Sequence, residues 1–493
     1  LTRNSRVVWC TIFAFALLMF VTPLLQAQLE PLPYSGGVLM GRAIRSGRIQ
    51  LHPGTAIGHG SPDLTCSPAP CAFTPVEASG IGSQPSNEYP FAANPNNALQ
   101  LLTGANDYNC PGIQGFYATG DGGTTWTRKC LPLISGGSGF GDPITGYDLN
   151  NVAYAGGIQQ AGTFFGVVVS SSTNNGTTWG TPVRAVPAEL GYLADKPWMQ
   201  VDDNAGSAFQ NTIYISTTQF ASTSDSQIWV AHSTNGGVTW TDKAVSTRQH
   251  YPSQVDQFSD LAVGTDGTVY LNWLRCPPNN GNSPFCGGQV SKIMFSKSVD
   301  GGVTWTPEAQ ATTTKLVTDN GCCFYGQLPN TSERISDIPA NAATGIGVTA
   351  TVNVVYYNWT GTQMQIMNVK SSDGGTTWGT PIRVNTSNTG DQFFPWVNYA
   401  SNGKKLGVTW MDRRNDASNI KFQPFFASSA GAGFAKDHAL DSLLSDPFKD
   451  GFGSAFFGDY NTNVWSGRAL YGNWCDTNFN NTTCQEAVGG VLF

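Results

Sequence analysis

Short apolar runs alternate with polar, glycine-rich turns from about Pro90 to the end of the chain. Runs such as Ile213-Tyr214-Ile215, Val269-Tyr270-Leu271, Val355-Tyr356-Tyr357 and Ala469-Leu470-Tyr471 have the β-branched and aromatic content of strands, and turn residues bound them on both sides. A larger unit recurs: a small-residue or proline-rich start, a strand, a polar turn and a second apolar strand. Seven copies begin near Pro90, Asp142, Pro197, Asp260, Ile338, Pro395 and Gly458. Repetition of this kind marks a radial or stacked architecture. It predicts an all-β fold, a single β-propeller of four-stranded antiparallel blades, with seven blades favoured and a six-bladed form as the alternative. The seventh unit ends at Phe493 with one strand beyond its inner hairpin. The apolar segment 37–51 is expected to complete its outer edge. Residues 435–444 have helical spacing and are expected to form a lid or packing helix.

Five units also carry a turn of one pattern, complete in Ser298-Val299-Asp300-Gly301-Gly302-Val303-Thr304-Trp305 and repeated at 119–126, 172–179, 233–240 and 371–378. Its acidic or amide position (Asp121, Asn174, Asn235, Asp300, Asp373) closes an Asx turn on backbone N–H groups, and glycine takes positive φ. Its tryptophan (Trp126, Trp179, Trp240, Trp305, Trp378) then brings a large ring to the start of the return strand. In these residues the chain resembles the Asp-box, or BNR, repeat of the sialidase superfamily of β-propellers, exo-α-sialidases among them. The resemblance implies that the boxes are structural and lie at the blade periphery, away from a catalytic mouth. Asn174 and Asn235 depart from the family's Asp, and an amide oxygen accepts the same turn bonds.

Composition narrows the function. Of the 493 residues 12% are charged, against about 25% in an ordinary soluble domain, and the net charge is -7. A nucleic-acid partner, which needs a clustered basic face, is disfavoured. With 57 Gly and 28 Pro the chain turns too often for long helices. Arg3 and Arg6 precede the apolar stretch 7–25, and Ala27 offers a cleavage site, so residues 1–27 read as a signal peptide, an uncleaved anchor being the alternative. The expected location is secreted, periplasmic or extracellular, with no membrane span after cleavage. Residues 28–84 read as an N-terminal arm with a stapled loop, and 85–493 as the propeller. Proximity suggests the disulfides Cys66–Cys71, Cys110–Cys130, Cys276–Cys286, Cys322–Cys323 and Cys475–Cys484, with a zinc site as the rival use of these cysteines.

The segments that lead into the inner strands surround a propeller's channel, and convergent polar groups belong there. Asp142, Asp195, Asp256, Asp260, Asp337, Asp391 and Asp459 occupy such places. They bind a cation such as calcium, supply acid and base groups, or cap turns. No cofactor is required. Arg275, Arg334 and Arg413 stand at comparable positions in successive units, ready either to grip an anionic sugar or to pair with neighbouring Asp. Trp198 and Trp396 are candidate sugar platforms or inter-blade packing. Sialidases, which the chain resembles, use a Tyr nucleophile with Glu and three arginines on the substrate carboxylate. The corresponding candidates are Glu333 or Glu88 as base, Tyr460 or Tyr251 as nucleophile, and Asp195 or Asp256 as acid. The family's R-I-P segment is missing, since residues 86–90 contain no Arg. Two functions remain open: a glycosidase, or a binder of glycans or cell-surface polysaccharide, working at the channel mouth; or a non-catalytic adhesion or assembly propeller.

Overall fold

A computed structural model describes residues 32–54, 67–80, 82, 84–221, 225–250, 253–277, 286–320 and 322–493. Seven small antiparallel sheets, each of four or five strands, form seven blades. Their inner strands are Phe91–Ala93, Ile144–Tyr147, Leu193–Val201, Val255–Val263, Ala340–Thr344, Gln392–Tyr399 and Asn463–Ser466. Each touches the inner strand of the next blade, and the seventh returns to the first, so the ring is closed and only outer edges are left free. The expected seven blades are present, and the last hairpin is one of them.

The tryptophan turns lie between the third and fourth strands of blades one to five. In blade four Ser298 Oγ donates to Asp300 Oδ1 (2.8 Å), the Thr304 N–H donates to the same oxygen (2.9 Å), and the Gly302 N–H donates to Ser298 Oγ (2.9 Å). Gly301 and Gly302 have φ of 74° and 88°, which a side chain would strain. Where the acid is an amide the bond reverses. Thr304 Oγ1 donates to Asp300 Oδ2, whereas Asn174 and Asn235 each donate Nδ2 to the oxygen of Thr178 or Thr239. The rings tie neighbouring blades together: Trp378 meets Phe295 edge-on at 5.0 Å and Trp179 meets Phe116 at 5.8 Å. Trp126, Trp240 and Trp305 are likewise half-buried against the core.

Closure of the seventh blade differs from expectation. Its outer strand is Cys71–Glu77, which pairs antiparallel with Gln485–Leu492 and buries Phe73 and Val76, Phe73 edge-on to Tyr471 at 5.3 Å. Residues 37–51 do not form that strand. Gly36–Arg45 is instead a helix, α1, with Ser35 as N-cap and Arg42 and Arg45 in its last turn, the signs that suit the helix dipole. Residues 435–444 hold no helix either. Their His438–Ala439 pairs with Gln423–Ala430, the Leu440 N–H donates to the Pro424 carbonyl, and Asp437 is taken up by Arg414 and Thr386, so the backbone groups a helix would use are already engaged.

Disulfides join Cys110 to Cys130, Cys276 to Cys286, Cys322 to Cys323 and Cys475 to Cys484. Cys71 is also disulfide-bonded, while Cys66, the segment 1–27 and Tyr251 lie outside the described residues. Among the described residues no helix is long and apolar enough to cross a membrane.

Candidate functional site

Six of the seven blades carry a residue at positive φ, Glu88 (59°), Asp142 (51°) and Gly458 (114°) ahead of the inner strand and Lys196 (46°), Phe258 (60°) and Phe394 (50°) within it. In blades three, four and six this residue sits in a bulge, between Asp195 and Trp198, Gln257 and Asp260, and Phe393 and Trp396. Left-handed backbone at non-glycine residues costs about 1 kcal/mol or more each and persists where the surroundings impose it. Here it gathers polar side chains at one end of the channel.

That end is occupied by the chain's own N-terminal segment. The Ser35 N–H and Oγ both donate to the Asp195 carboxylate at 2.7 Å, and the Gly36 N–H donates to Asp459 Oδ2 at 2.7 Å. Gln257 Nε2 bridges Asp195 (2.8 Å) and the Pro33 carbonyl (2.9 Å), to which Tyr325 also donates. A Cβ at Gly36 would overlap the Phe456 ring, and one at Gly37 would overlap Asp142 Oδ1. Both glycines are therefore required by close approach. Behind them Val38, Leu39, Met40 and Ala43 are buried among Phe140, Phe165, Leu193, Phe220, Phe452 and Phe456. The seal is anchored by an apolar core of its own as well as by hydrogen bonds.

Four carboxyl groups, Glu88, Asp142, Asp195 and Asp459, meet the positive end of α1 together with two cations. Arg334 grips Asp459 through Nε (2.9 Å) and Nη2 (3.0 Å). The Lys196 ammonium lies 3.6 Å from the centre of the Tyr460 ring. Burial above all, then the Asp142 and Asp459 charges, raises Glu88 well above the usual carboxylate range. Asp142 is pushed up to about 7 by burial and by Asp195. Glu88 accepts from Asn106 Nδ2 and from the Asp459 N–H, whereas neither buried Asp142 oxygen has a hydrogen-bond partner among the described residues, so burial favours the protonated form of Asp142. Asp195 is also raised by burial, against the opposing bonds from Ser35.

These raised groups fix a sign. The folded chain holds protons that the unfolded chain releases near the ordinary carboxylate pKa, so this stabilisation is full at acid pH and is lost as pH rises towards 7. Each such proton contributes a slope of about 1.4 kcal/mol per pH unit. Urea unfolding between pH 5 and 7.5, a window taken from the Asp142 value of about 7, should show stability falling with pH. Asp142→Asn should flatten the slope by about that amount; an unchanged slope would show that Asp142 does not hold a proton in the folded chain.

Of the residues singled out in the sequence, Glu88, Asp142, Asp195, Asp459, Arg334 and Tyr460 come together at the mouth, whereas Asp256, Glu333, Arg275 and Arg413 do not join them. Asp195 and Tyr460 reach the mouth, where Tyr460 is buried and its hydroxyl donates to the Pro143 carbonyl at 3.3 Å. Asp256 is held in a fork by Arg275, which also binds Glu308. Glu333 is fully buried, and its charge is felt beside Asp450 and Arg413. Arg413 has no solvent exposure, donates to the Pro329 carbonyl and lies 3.8 Å from Asp391. Arg275 and Arg334 are thus committed to internal acids, and Arg413 is buried with Nε and Nη2 lacking a hydrogen-bond partner among the described residues, so the three are not aimed at a common anion. Trp198 and Trp396 stack on one another at 4.4 Å, with Tyr460 at 5.7 and 6.2 Å, and close the channel at its waist rather than offering an exposed platform. Lys196 and the Ser35-Gly36-Gly37 run were not singled out. The paired glycines after a capping serine are the signal that was present. Among the described residues no group of three or more His, Cys, Asp or Glu is placed to hold a metal.

A separate groove of about 840 Å³ lies between blades six and seven. Phe73, Leu440, Leu443 and Phe479 give it an apolar wall, and Asn415, Gln423, Asn478, Asp441 and Asp476 a polar one. Burial and the Asp476 charge push Asp441 up to about 6.

No known family profile and no curated relative matches the chain. Solved structures with a similar course include an α-L-arabinanase of Penicillium chrysogenum (13% identity, 70% of this chain and 92% of that one, TM-score 0.40). A Hadza microbial sialidase (13%, 70% and 68%, TM-score 0.41) and an α-L-arabinofuranosidase of Fusarium graminearum (11%, 85% and 98%, TM-score 0.43) are similar to the same degree. The chain is a seven-bladed β-propeller by its own sheet order. Carbohydrate-active propellers stand among its distant structural neighbours, too remote to carry a residue's role.

Proposed function

We propose that the protein is a secreted propeller that recognises glycans without cleaving them, binding in the groove between blades six and seven. The observation that carries this reading is the sealed mouth. Ser35, Gly36 and α1 fill the end where a glycosidase of this architecture would work, and two of the arginines that would hold a sugar carboxylate, Arg275 and Arg334, are spent on internal acids. The groove has the size of a small-molecule site and the mixture of aromatic, amide and carboxylate groups that suits sugar rings and hydroxyls. The likeness of the five turns to Asp-box repeats agrees with an extracellular, carbohydrate-related role.

A second reading, a latent exo-glycosidase, is favoured by one observation: the mouth gathers four buried carboxyl groups, Glu88, Asp142, Asp195 and Asp459, and carboxyl groups raised by burial are the kind an acid/base mechanism uses. One experiment separates the two. The purified protein is assayed for binding to, and sugar release from, α-sialosides and neutral and uronic-acid glycosides. Binding without release is expected, weakened about tenfold or more, or about 1.4 kcal/mol, by Asp441→Ala. Release by the wild-type chain would establish the second reading, and absence of both binding and release would overturn the first.

A further inference from the structure

Beyond the waist formed by Trp198, Trp396 and Tyr460, on the side away from α1, the channel holds a separate cavity of about 90 Å³. Thr145, Trp198, Asp203, Asp260, Asn341 and Trp396 line it. Three of these side chains are more than nine-tenths buried and leave a polar atom without a hydrogen-bond partner: Asp260 Oδ1, Asn341 Oδ1 and Thr145 Oγ1. The other Asp260 oxygen is engaged, accepting the Asn341 N–H at 2.5 Å. The Asn341 amide oxygen can only accept, and Asp260, which burial pushes up to about 8, becomes an acceptor through Oδ1 once a cation displaces its proton. They therefore call for a donor or a cation from outside the chain, because a buried acceptor left unpaired costs about 1 to 3 kcal/mol.

Register makes Asp260 unusual. It is the first residue paired after the bulge of blade four, as Trp198 is in blade three and Trp396 in blade six. Two aromatic rings and one carboxylate thus occupy equivalent places around one waist. The cavity is lined by two carboxylates, Asp203 exposed and Asp260 buried, and by no Lys, Arg or His. Its volume corresponds to about three water molecules at ~30 Å³ each. Carboxylate, amide and hydroxyl oxygens in a site with room for water are the ligands of a hard, flexibly coordinated cation.

We propose that this channel cavity binds a calcium ion through Asp260, Asn341 and Thr145, with Asp203 at its exposed side. The ion would lie beside Trp198 and Trp396, which supplies a local readout: terbium in the calcium site is sensitised by a neighbouring indole. With the whole chain, saturable terbium emission on tryptophan excitation is expected, displaced by calcium, together with a calcium-dependent rise in thermal midpoint. Asp260→Asn, which keeps the shape and removes the charge, should abolish both. Thr145→Val should weaken calcium about tenfold, and serves if Asp260→Asn does not fold. A wild-type chain with no calcium-dependent rise, or emission and rise that survive unchanged in the variants that fold, would overturn the proposal. Its failure would leave glycan binding at the groove untouched, since the two sites share no lining residue.

Discussion

Replacing Gly37 by valine is expected to destabilise the protein by about 3 kcal/mol or more and to drive α1 out of its seat. Even a Cβ at this position overlaps the Asp142 carboxylate and comes within 3.1 Å of Glu88 Oε2; the Glu88 carboxyl is held from other sides by Asn106 Nδ2 and the Asp459 N–H, and the Asp142 backbone N–H is fixed by Asn106. The segment must yield, and with it go the bonds from Ser35 and Gly36 to Asp195 and Asp459. A matched control lies one turn along the helix. At Gly41 an added Cβ meets only ordinary contact, Phe140 at 3.5 Å. Gly41→Ala should therefore stabilise by about 0.5 to 1 kcal/mol through helix propensity. Urea unfolding of the two variants checks both signs, and a Gly37→Val chain as stable as wild type would refute the close fit.

Arg334→Ala is the second large effect, expected to cost about 3 to 5 kcal/mol, because it strands a buried carboxylate. Asp459 is fully buried, and both of its oxygens face the guanidinium fork. Without Arg334 the bond from the Gly36 N–H is what remains to it among the mouth contacts described above. Arg334→Lys should recover only part of the loss, since an ammonium cannot make both bonds in one plane. Chemical denaturation of wild type, Arg334→Ala and Arg334→Lys gives the comparison; small and equal losses in both variants would show that the pair contributes little.

The blades were legible because their information is local. A box such as Ser298 to Trp305 makes its bonds within four residues, and each inner hairpin pairs with itself. Two of the departures from expectation, the outer strand of blade seven and the place of α1, are long-range. Cys71 pairs with Leu492, and Gly36 donates to a residue 423 positions away, so no pattern near either segment announces its partner. Three glycines in the ten residues of α1 argue against a helix on propensity, yet two of them are there because the mouth acids and Phe456 approach so closely. The acids illustrate the same limit. Sequence position brought Asp195, Asp256 and Glu333 together as candidates, but which acid meets an N–H, a guanidinium or another acid depends on neighbours from other blades.

The central claim is that Ser35, Gly36 and α1 seal the channel mouth as an integral part of the fold. Hydrogen exchange at the Ser35, Gly36, Val38 and Leu39 amides measures it most directly. Burial of these residues and their bonds to Asp195, Asp459 and the Ser35 oxygens predict that they exchange only with global unfolding, as slowly as the blade cores. Exchange near the rate of an unstructured peptide while the blades remain protected would mean an open mouth, and would return the site to the glycosidase reading.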